Sequence, residues 1–209
     1  MNQFPFLQVL TWDDSIYTHL EQVHFLLQVG ARWIQLRQKK GTFDEKIRTA
    51  CTAATLCHEV GAVLIIDDSP EICLKSGADG VHLGLSDMSI AEARQRLGKA
   101  SIIGGTANTS QEVADRMDAE ADYIGIGPFR FTGTKKNLSP ILGSKGVKQI
   151  LQMRKIRQQT NLYVCPITVI GGIQPADGVV IRRLGAESIS VCSAIVGATD
   201  ISAAYRIFL

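Results

Sequence analysis

Short, uninterrupted runs of apolar residues recur along the chain and are separated by longer segments of mixed polarity. The runs are continuous rather than alternating in polarity, which is typical of parallel strands covered by helices on the sheet face. Eight of them have the length of a buried strand: Leu7–Leu10, Trp33–Leu36, Val63–Ile66, Gly80–Leu83, Ile102–Gly104, Tyr123–Ile126, Ile167–Ile170 and Ser188–Val191. The pattern therefore predicts eight buried, parallel strands.

The segments between these runs have helical spacing. After the second run, apolar side chains at intervals of three and four residues belong to Ile47, Ala50, Ala54 and Cys57. Such residues share one face of a helix, and the following Gly61 is a predicted helix cap. Similar sequences, VGA, SGAD and LGAE, place a glycine just before other predicted strands. The chain therefore repeats one strand–helix unit.

Eight units in 209 residues give about 26 residues per unit, which predicts one (β/α)₈ TIM barrel over residues 1–209. An open, doubly wound α/β sheet is the competing architecture, because it also alternates strands and helices. Eight units and the absence of a dinucleotide fingerprint favour the barrel. No linker or second domain is visible in the sequence.

Composition narrows the range of partners. The 22 basic and 20 acidic residues are scattered, so no charged stretch suits a nucleic acid or a membrane surface. No apolar run approaches the length of a membrane span. An odd number of cysteines without a C-x-x-C pair indicates free thiols and a cytoplasmic location: Cys51, Cys57, Cys73, Cys165 and Cys192. The oligomeric state stays open, a homodimer included.

One loop is longer than the others. About 40 residues separate Ile126 from Ile167, and the helix between them is predicted to start only near Ser144. This interval contains GPFRFTGTKK, residues 127–136, which fits neither a P-loop nor a Rossmann turn. In a barrel the loop lies at the carboxyl ends of the strands, where active sites are built.

Basic side chains follow the second predicted strand. The sequence QLRQK places Gln35, Arg37 and Lys39 at alternate positions, so the three lie on one side of an extended segment. Two cations so placed can clamp a diphosphate, the arginine in bidentate fashion and the lysine as a point charge. The alternative is a strand end that continues into a solvated loop.

Carboxylates follow the third and fourth strands. The sequence IIDDS contains Asp67 and Asp68, and DGVHLGLSD ends in Asp87. Carboxylates from neighbouring strand ends can share Mg²⁺, which prefers oxygen ligands and keeps waters and substrate phosphates in its shell. The alternative is helix capping, by Asp68 or Ser69 at one helix and by Asp87 at the next. Together with the two cations, the carboxylates favour a metal–diphosphate site.

Glycine and hydroxyl groups indicate a second anion site. VIGGI ends the seventh strand with Gly171 and Gly172, and Cys192-Ser193 follows the eighth. Glycines let backbone N–H groups approach a phosphate, and barrels often hold a phosphate at these two loops. Thr132 and Thr134 add hydroxyls from the long loop. A purely structural role of the glycines in a turn is the alternative.

The sequence offers no side-chain nucleophile. His82 lies within the fourth strand, where we expect a hydrogen-bonded barrel residue rather than a catalytic base. The other histidines fall on predicted helices. Cys192 is expected to be a small apolar neighbour, and no Ser/His/Asp pattern suggests a hydrolase.

Taken together, these segments resemble the thiamine-phosphate synthase family, and the similarity covers essentially the whole chain in order. QLRQK is similar to the family's Q-x-R-x-K, IIDDS to I-N-D, and DGVHLGLSD to D-G-V-H-x-G-Q-x-D. IIGGTANT is similar to G-V-S-x-H-T and GPFRFTGTKK to G-P-x-x-x-T-x-T-K-K. VIGGI and CSAI resemble the family's last two phosphate-binding turns.

The resemblance implies an enzyme that joins hydroxymethylpyrimidine diphosphate to thiazole phosphate and releases thiamine monophosphate and pyrophosphate. It implies Mg²⁺ as the cofactor, held on the diphosphate by Asp68 and Asp87. The groups that would neutralise the leaving diphosphate are Gln35, Arg37, Lys39 and Lys135. The groups that would hold the thiazole phosphate are Thr132, Thr134, Gly172, Cys192 and Ser193. The reaction it implies is a displacement with carbocation character at the pyrimidine methylene carbon.

The chain departs from the family pattern near the pyrimidine. Asp67 stands where the family usually has an asparagine, Leu85 replaces a usual glutamine, and Thr106 replaces a usual serine. Asp67 can still accept a hydrogen bond from the pyrimidine amino group, and Thr106 keeps a hydroxyl. We expect three neighbouring aspartates to crowd like charge in the absence of metal.

Two alternatives remain at the level of function. The related thiazole tautomerase shares the barrel and the phosphate site, but it uses a histidine where this chain has Asn108. It also lacks much of the diphosphate-binding set. The second alternative is a barrel that binds phosphorylated ligands without turnover.

Overall fold

The computed structural model describes residues 4–135 and 138–209, and it contains a closed barrel of eight parallel strands. The strands are β1 (Leu7–Leu10), β2 (Trp33–Leu36), β3 (Val63–Asp67), β4 (Gly80–Leu83), β5 (Ile102–Ala107), β6 (Tyr123–Ile126), β7 (Ile167–Ile170) and β8 (Ser188–Val191). Each strand pairs with its neighbour in sequence, and β1 pairs with β8 to close the barrel. The predicted barrel is confirmed, and the open sheet is wrong.

All eight predicted strands are present, and two extend further than expected. β3 includes Asp67, which pairs with His82, and β5 continues through Thr106 and Ala107, which pair with residues of β6. These extensions place polar side chains inside the strand ladder at its carboxyl end.

Helices alternate with the strands. They are α1 (His19–Gln28), α2 (Phe43–Glu59), α3 (Pro70–Ser76), α4 (Ile90–Leu97), α5 (Ser110–Asp118), α6 (Gly143–Gln159), α7 (Asp177–Leu184), α8 (Ser193–Val196) and α9 (Ile201–Arg206). Capping boxes, in which an N-cap hydroxyl and a glutamate three residues later bond each other's backbone, begin four of them. The N-cap residues are Thr18, Thr42, Ser89 and Thr109. No helix in the described part of the chain is long and apolar enough to cross a membrane.

Two groups of buried side chains hold the barrel together. The larger lies between the strands and the surrounding helices and contains most of the buried aliphatic residues. The smaller contains Trp33, Ile65 and Tyr123, which alternate along their strands with residues of the larger group. This alternation places them inside the barrel, where the Phe4 ring stacks on Trp33 with centroids 4.6 Å apart.

Candidate active site

The polar groups predicted from sequence lie at the carboxyl ends of the strands. At the end of β2, Nε2 of Gln35 donates a hydrogen bond to Oδ1 of Asp67 at 2.6 Å. Nε of Arg37 is 3.8 Å from Oδ2 of the same aspartate. The ammonium of Lys39 forms ion pairs with both Asp67 and Asp68. The structure thus brings the predicted diphosphate clamp and the first two carboxylates into one cluster.

The ionisation of this cluster reflects burial and crowded charge. Burial and the neighbouring charge of Asp68 raise the pKa of Asp67 above the ordinary aspartate value. Burial alone would raise the pKa of Asp68 as well, but its hydrogen bond from Lys39 lowers it overall. Burial and the charge of Asp68 raise the pKa of Asp87, although the N–H of Gly84 opposes them. The expected crowding of like charge is therefore present.

Neither Asp68 nor Asp87 caps a helix. Ser69 caps α3 by accepting from the N–H of Ile72, and Ser89 caps α4. The capping interpretation is therefore wrong for both aspartates and is confirmed for Ser69.

Hydrogen bonds to the backbone of His82 and Gly84 fix the positions of Asp68 and Asp87. Asp68 has a left-handed backbone, with φ of 63°, and its N–H donates to the carbonyl of His82 at 2.8 Å. Oδ2 of Asp87 accepts from the N–H of Gly84 at 2.6 Å, and the charge of Asp68 is close enough to help raise the pKa of Asp87. Carboxylate oxygens are ligands that Mg²⁺ prefers, together with waters and substrate oxygens, so the chemistry of the two side chains is compatible with this ion. No cluster of three or more His, Cys, Asp or Glu side chains suited to a metal occurs within residues 4–135 and 138–209.

Residues after β1 hold the segment that carries Arg37 and Lys39. Oγ1 of Thr11 accepts from the N–H of Arg37 at 2.9 Å. The carboxylate of Asp13 accepts from the N–H groups of Lys39 and Lys40, both at 3.1 Å. His19 joins the two acceptors through its ring nitrogens. Sequence reasoning missed these residues, although TWDD directly follows the first strand and was a usable signal.

A buried polar chain runs through the barrel interior beneath the site. Nδ1 of His82 lies 3.0 Å from the hydroxyl of Tyr123, and Nε2 lies 2.9 Å from Oγ1 of Thr106. The chain continues from Tyr123 through Gln8 to Ser190. Burial lowers the pKa of His82 to about 4, so the ring is neutral near pH 7. This confirms His82 as a hydrogen-bonded barrel residue, and it links Thr106 to the core.

Arg116 of α5 joins the ends of β4 and β5, and sequence reasoning missed it. Its Nε donates to the carbonyl of Thr106 at 3.2 Å, and its Nη2 donates to the carbonyl of Gly84 at 2.9 Å. One guanidinium therefore joins the start of the Asp87 loop to the carboxyl end of β5. Leu85 lies in that loop and is 48% exposed.

The long loop after β6 reaches over the same end of the barrel. Oγ1 of Thr132 and Oγ1 of Thr134 are 2.7 Å apart, and Nη2 of Arg37 donates to the carbonyl of Thr134 at 3.4 Å. Lys135 is exposed, and its charge contributes to the lowered pKa of His82 after burial. Lys136, which ends the GPFRFTGTKK stretch, lies outside the described residues.

Glycines after β7 allow this loop to pack closely against the neighbouring turn. Gly171 and Gly172 have φ of 98° and 66°. A Cβ on Gly171 would lie 2.7 Å from Cα of Pro128, and one on Gly172 would lie 2.5 Å from the carbonyl of Phe131. Both the left-handed backbone and the close approach therefore require glycine here.

Residues after β8 complete this end of the barrel. Ser193 lines a groove together with Gln174 and Pro175 of the turn after β7. Burial raises the pKa of the Cys192 thiol to about 12, which agrees with the expectation that it is no nucleophile. The structure thus brings the predicted phosphate-binding groups to the loops after β6, β7 and β8, and Arg37 joins the first of these loops to the carboxylate cluster.

Comparisons with known proteins point to one family. The sequence matches the family model described as thiamine monophosphate synthase over residues 8–195. A thiamine-phosphate synthase from Bacteroides thetaiotaomicron is 44% identical over 200 residues, which cover 96% of this chain and 94% of that relative. One from Flavobacterium psychrophilum is 42% identical over 189 residues, 90% of each chain. The solved structure of a thiamine phosphate pyrophosphorylase from Pyrococcus furiosus superposes with a TM-score of 0.83 at 28% identity, covering 97% of this chain and 92% of that one.

Proposed function

The chain belongs to the thiamine monophosphate synthase family, and we propose on this premise how its site performs the reaction. It is a transferase that makes thiamine phosphate. In our proposal it joins hydroxymethylpyrimidine diphosphate to thiazole phosphate, releases pyrophosphate, and requires Mg²⁺. The observation that carries the proposal is the meeting of Arg37 and Lys39 with Asp67 and Asp68 at one end of the barrel.

The leaving diphosphate would bind at the cations of this cluster. Negative charge develops on the diphosphate as its bond to the pyrimidine methylene carbon breaks, so fixed positive groups lower the barrier where the charge appears. Arg37, Lys39 and Lys135 would supply these groups, and Gln35 would support them through its hydrogen bond to Asp67. Binding the diphosphate would replace carboxylate partners that Lys39 now contacts.

Asp68 and Asp87 would hold Mg²⁺. Burial and the charge of Asp68 raise the pKa of Asp87, which supports a position where a cation is favourable. When bound, the ion neutralises charge on the diphosphate oxygens and orients them. The hydrogen bond from the N–H of Gly84 and the left-handed backbone of Asp68 would preorganise the two ligands for the ion.

The thiazole phosphate would bind at the loops after β6, β7 and β8. Its oxygens would accept from the hydroxyls of Thr132, Thr134 and Ser193 and from backbone N–H groups near Gly172 and Cys192. Holding the thiazole nitrogen in line with the methylene carbon contributes proximity, which is a large part of catalysis without a covalent intermediate. The absence of an activated thiol at Cys192 agrees with such a mechanism.

The pyrimidine would lie between the two anion sites, near Asp67 and Thr106. The raised pKa of Asp67 favours a carboxyl group that can share a proton with the pyrimidine amino region. The Thr106 hydroxyl is already oriented by His82 at 2.9 Å. Leu85 would present an apolar surface where the family usually has an amide.

The tautomerase alternative finds less support in the site. At the position where that enzyme has a histidine, the amide of Asn108 donates to the carbonyl of Gly127. It therefore serves the backbone of the β6 loop and offers no base. A barrel that binds phosphorylated ligands without catalysis is distinguished from the proposed enzyme by a measurement of turnover.

The first test is product formation. Purified protein is mixed with both substrates and Mg²⁺, and thiamine phosphate is detected by oxidation to fluorescent thiochrome. We expect product that disappears with a chelator, and a loss of at least about 100-fold in kcat for Asp87→Asn. Asparagine can still accept from the Gly84 N–H, so the variant removes the charge and keeps this hydrogen bond.

Asp115→Asn is the matched control, because Asp115 lies exposed on the outer side of α5. It should leave the rate and its dependence on Mg²⁺ unchanged. If wild-type protein bound thiazole phosphate but formed no product, the synthase proposal would fail. Unchanged metal dependence in Asp87→Asn would remove that residue from the metal site.

A further inference from the structure

We infer that Arg130 and Asp177 form a positioning pair, which clamps the loop after β6 onto the turn after β7 and thereby shapes the thiazole-phosphate site. The inference rests on the proposed function for the identity of the ligand. Neither residue belongs to the proposed binding or catalytic groups. The family motif, G-P-x-x-x-T-x-T-K-K, leaves the position of Arg130 unspecified.

The contact between the two side chains is bidentate. Nε of Arg130 donates to Oδ2 of Asp177 at 3.0 Å, and Nη2 donates to Oδ1 at 2.6 Å. A guanidinium bound by two parallel hydrogen bonds has a fixed plane as well as a fixed distance. The pair therefore constrains the direction of the β6 loop at Arg130, and lysine cannot reproduce this geometry.

Burial shows which partner is the anchor. The Asp177 side chain is 5% exposed, whereas that of Arg130 is 56% exposed. Asp177 begins α7 and also accepts from the N–H of Gln174 at 2.9 Å, which fixes the turn between β7 and the helix. The aspartate is thus part of the rigid frame, and the arginine belongs to the loop that is attached to it.

Backbone contacts bring the loop and the turn together beside the pair. The N–H of Phe129 donates to the carbonyl of Ile170 at 2.9 Å, and the N–H of Arg130 donates to the carbonyl of Gly171 at 2.8 Å. Gly172 lies directly under the loop, because a side chain at this position would collide with the backbone of Phe131. The Arg130 clamp is therefore adjacent to a proposed phosphate-binding glycine.

The threonines of the proposed phosphate site follow Arg130 by two and four residues. Between them and the arginine, Phe131 is 76% exposed, so apolar packing does not hold this part of the loop. Further along the loop, Arg37 donates a hydrogen bond to the carbonyl of Thr134. Thr132 and Thr134 thus lie between two arginine contacts along the chain. Arg37 also belongs to the proposed diphosphate site, whereas Arg130 does not.

The test measures ligand affinity and kinetics separately. Thiazole phosphate is titrated calorimetrically into wild type, Arg130→Gln, Arg130→Lys and Asp177→Asn, and KM is determined for each substrate. We expect Arg130→Gln to raise Kd and KM for thiazole phosphate about tenfold, because misplaced hydroxyls lose their alignment. KM for the pyrimidine diphosphate should change less, by about twofold, since of its proposed groups only Lys135 lies in this loop and the others follow β2 and β3. Arg130→Lys should restore only part of the affinity.

Arg154→Gln is the matched control. Arg154 forms an equally short pair with Glu187, 2.6 Å from Nη2 to Oε1, and Glu187 likewise accepts from a backbone N–H, that of Ile167 at the amino end of β7. This variant should leave both KM values unchanged. The double variant Arg130→Gln/Asp177→Asn should lose no more affinity than Asp177→Asn alone, as expected for one interaction.

Three outcomes would overturn the inference: unchanged thiazole-phosphate affinity in Arg130→Gln, equal increases in both KM values, or additive losses in the double variant. Wild-type protein that binds thiazole phosphate without forming product would refute the proposed synthase activity instead. In that case the calorimetric affinities of the variants would still decide whether the pair positions the loop.

Discussion

Asp177 shows how the charge of a nearly buried side chain is maintained. Its hydrogen bond from Arg130 lowers the pKa of the carboxyl group, burial acts in the opposite direction, and the N–H of Gln174 adds to the lowering. The ionised form is therefore favoured in the folded protein. By contrast, burial and like charge raise the pKa of Asp67. The two aspartates differ because burial and a competing carboxylate dominate at Asp67, whereas the hydrogen bond from Arg130 dominates at Asp177.

This difference gives a prediction for Asp177→Asn. A carboxyl group whose pKa is depressed in the folded state contributes stability above its unfolded value, about 3.8, and loses it as pH falls through the folded value. At pH 7 the variant should lower the free energy of unfolding by about 1–3 kcal/mol, the usual range for a hydrogen bond to a charged group. Below about pH 4 the difference from wild type should shrink.

Urea unfolding between pH 7 and pH 3 measures this difference. Asp115→Asn is the control, because its carboxylate on α5 is exposed and accepts a hydrogen bond from the side chain of Gln111. It should change stability little at any pH. A deficit for Asp177→Asn that is the same at pH 3 and pH 7 would mean that the carboxylate charge does not produce it.

At the scale of elements, the strands could be predicted because burial makes them continuous apolar runs. The pattern of apolar residues failed only at the carboxyl ends of β3 and β5. Asp67 extends β3 by pairing with His82, and Thr106 extends β5 by pairing with Gly125. Those partners belong to other strands, so a polar residue can continue a ladder although its own neighbourhood resembles a loop.

The positions of the candidate site residues in the barrel were predictable from the sequence, whereas their side-chain contacts were not. Because parallel strands end at one edge, residues after successive strands necessarily gather there, which placed Arg37 beside Asp68 without a structure. The side-chain contacts were not predictable, since they depend on barrel closure and on the direction of each side chain. The contact of Arg130 with Asp177 spans 47 positions, and that of His82 with Tyr123 spans 41.

Small residues in β5 and β6 make room for the polar chain inside the barrel. A Cβ on Gly104 would lie 2.2 Å from Cζ of Tyr123, and one on Gly125 would lie 3.2 Å from Cε1 of His82. The two glycines therefore allow the rings to reach each other and to orient Thr106 at the site.

We expect Gly104→Ala to destabilise the protein by about 1–3 kcal/mol, because overpacking must displace the Tyr123 ring. The displacement should also lower kcat, since Thr106 loses its oriented partner. Thermal unfolding and the thiochrome assay measure the two effects. Gly178→Ala in α7 is the control: its Cβ would meet only ordinary contacts at 3.7 Å, and alanine favours helix by up to about 1 kcal/mol. Equal melting temperatures for wild type and Gly104→Ala would contradict this account.

At the scale of the whole molecule, the net charge is too small to bind anions, so anion binding must depend on the local arrangement of charged side chains. The 22 basic and 20 acidic residues leave a formal net charge of only +2, so no strong overall field attracts phosphorylated substrates. The proposed diphosphate and metal groups come from β2, β3 and the loops after β4 and β6, which the folded barrel brings together. Ligands of this site should therefore bind the native state and have little affinity for the unfolded chain.

Mg²⁺ and pyrophosphate should for this reason stabilise the protein together far more than either does alone. Pyrophosphate without metal meets the charges of Asp68 and Asp87, and Mg²⁺ without pyrophosphate has only two protein ligands. With both ligands at about 100 times their dissociation constants, stabilisation of about 2.7 kcal/mol is expected. For a chain of this size that corresponds to an increase in melting temperature of about 5–10 °C.

Thermal unfolding with each ligand alone, with both, and with a chelator added measures this coupling, and it requires no turnover. Asp87→Asn should lose the combined effect, because one metal ligand is weakened while the Gly84 hydrogen bond remains. Arg130→Gln should keep it, because that side chain acts on the other anion site. Additive rather than cooperative shifts in wild-type protein would mean that metal and diphosphate bind at separate places, and the assignment of Asp68 and Asp87 would then be wrong.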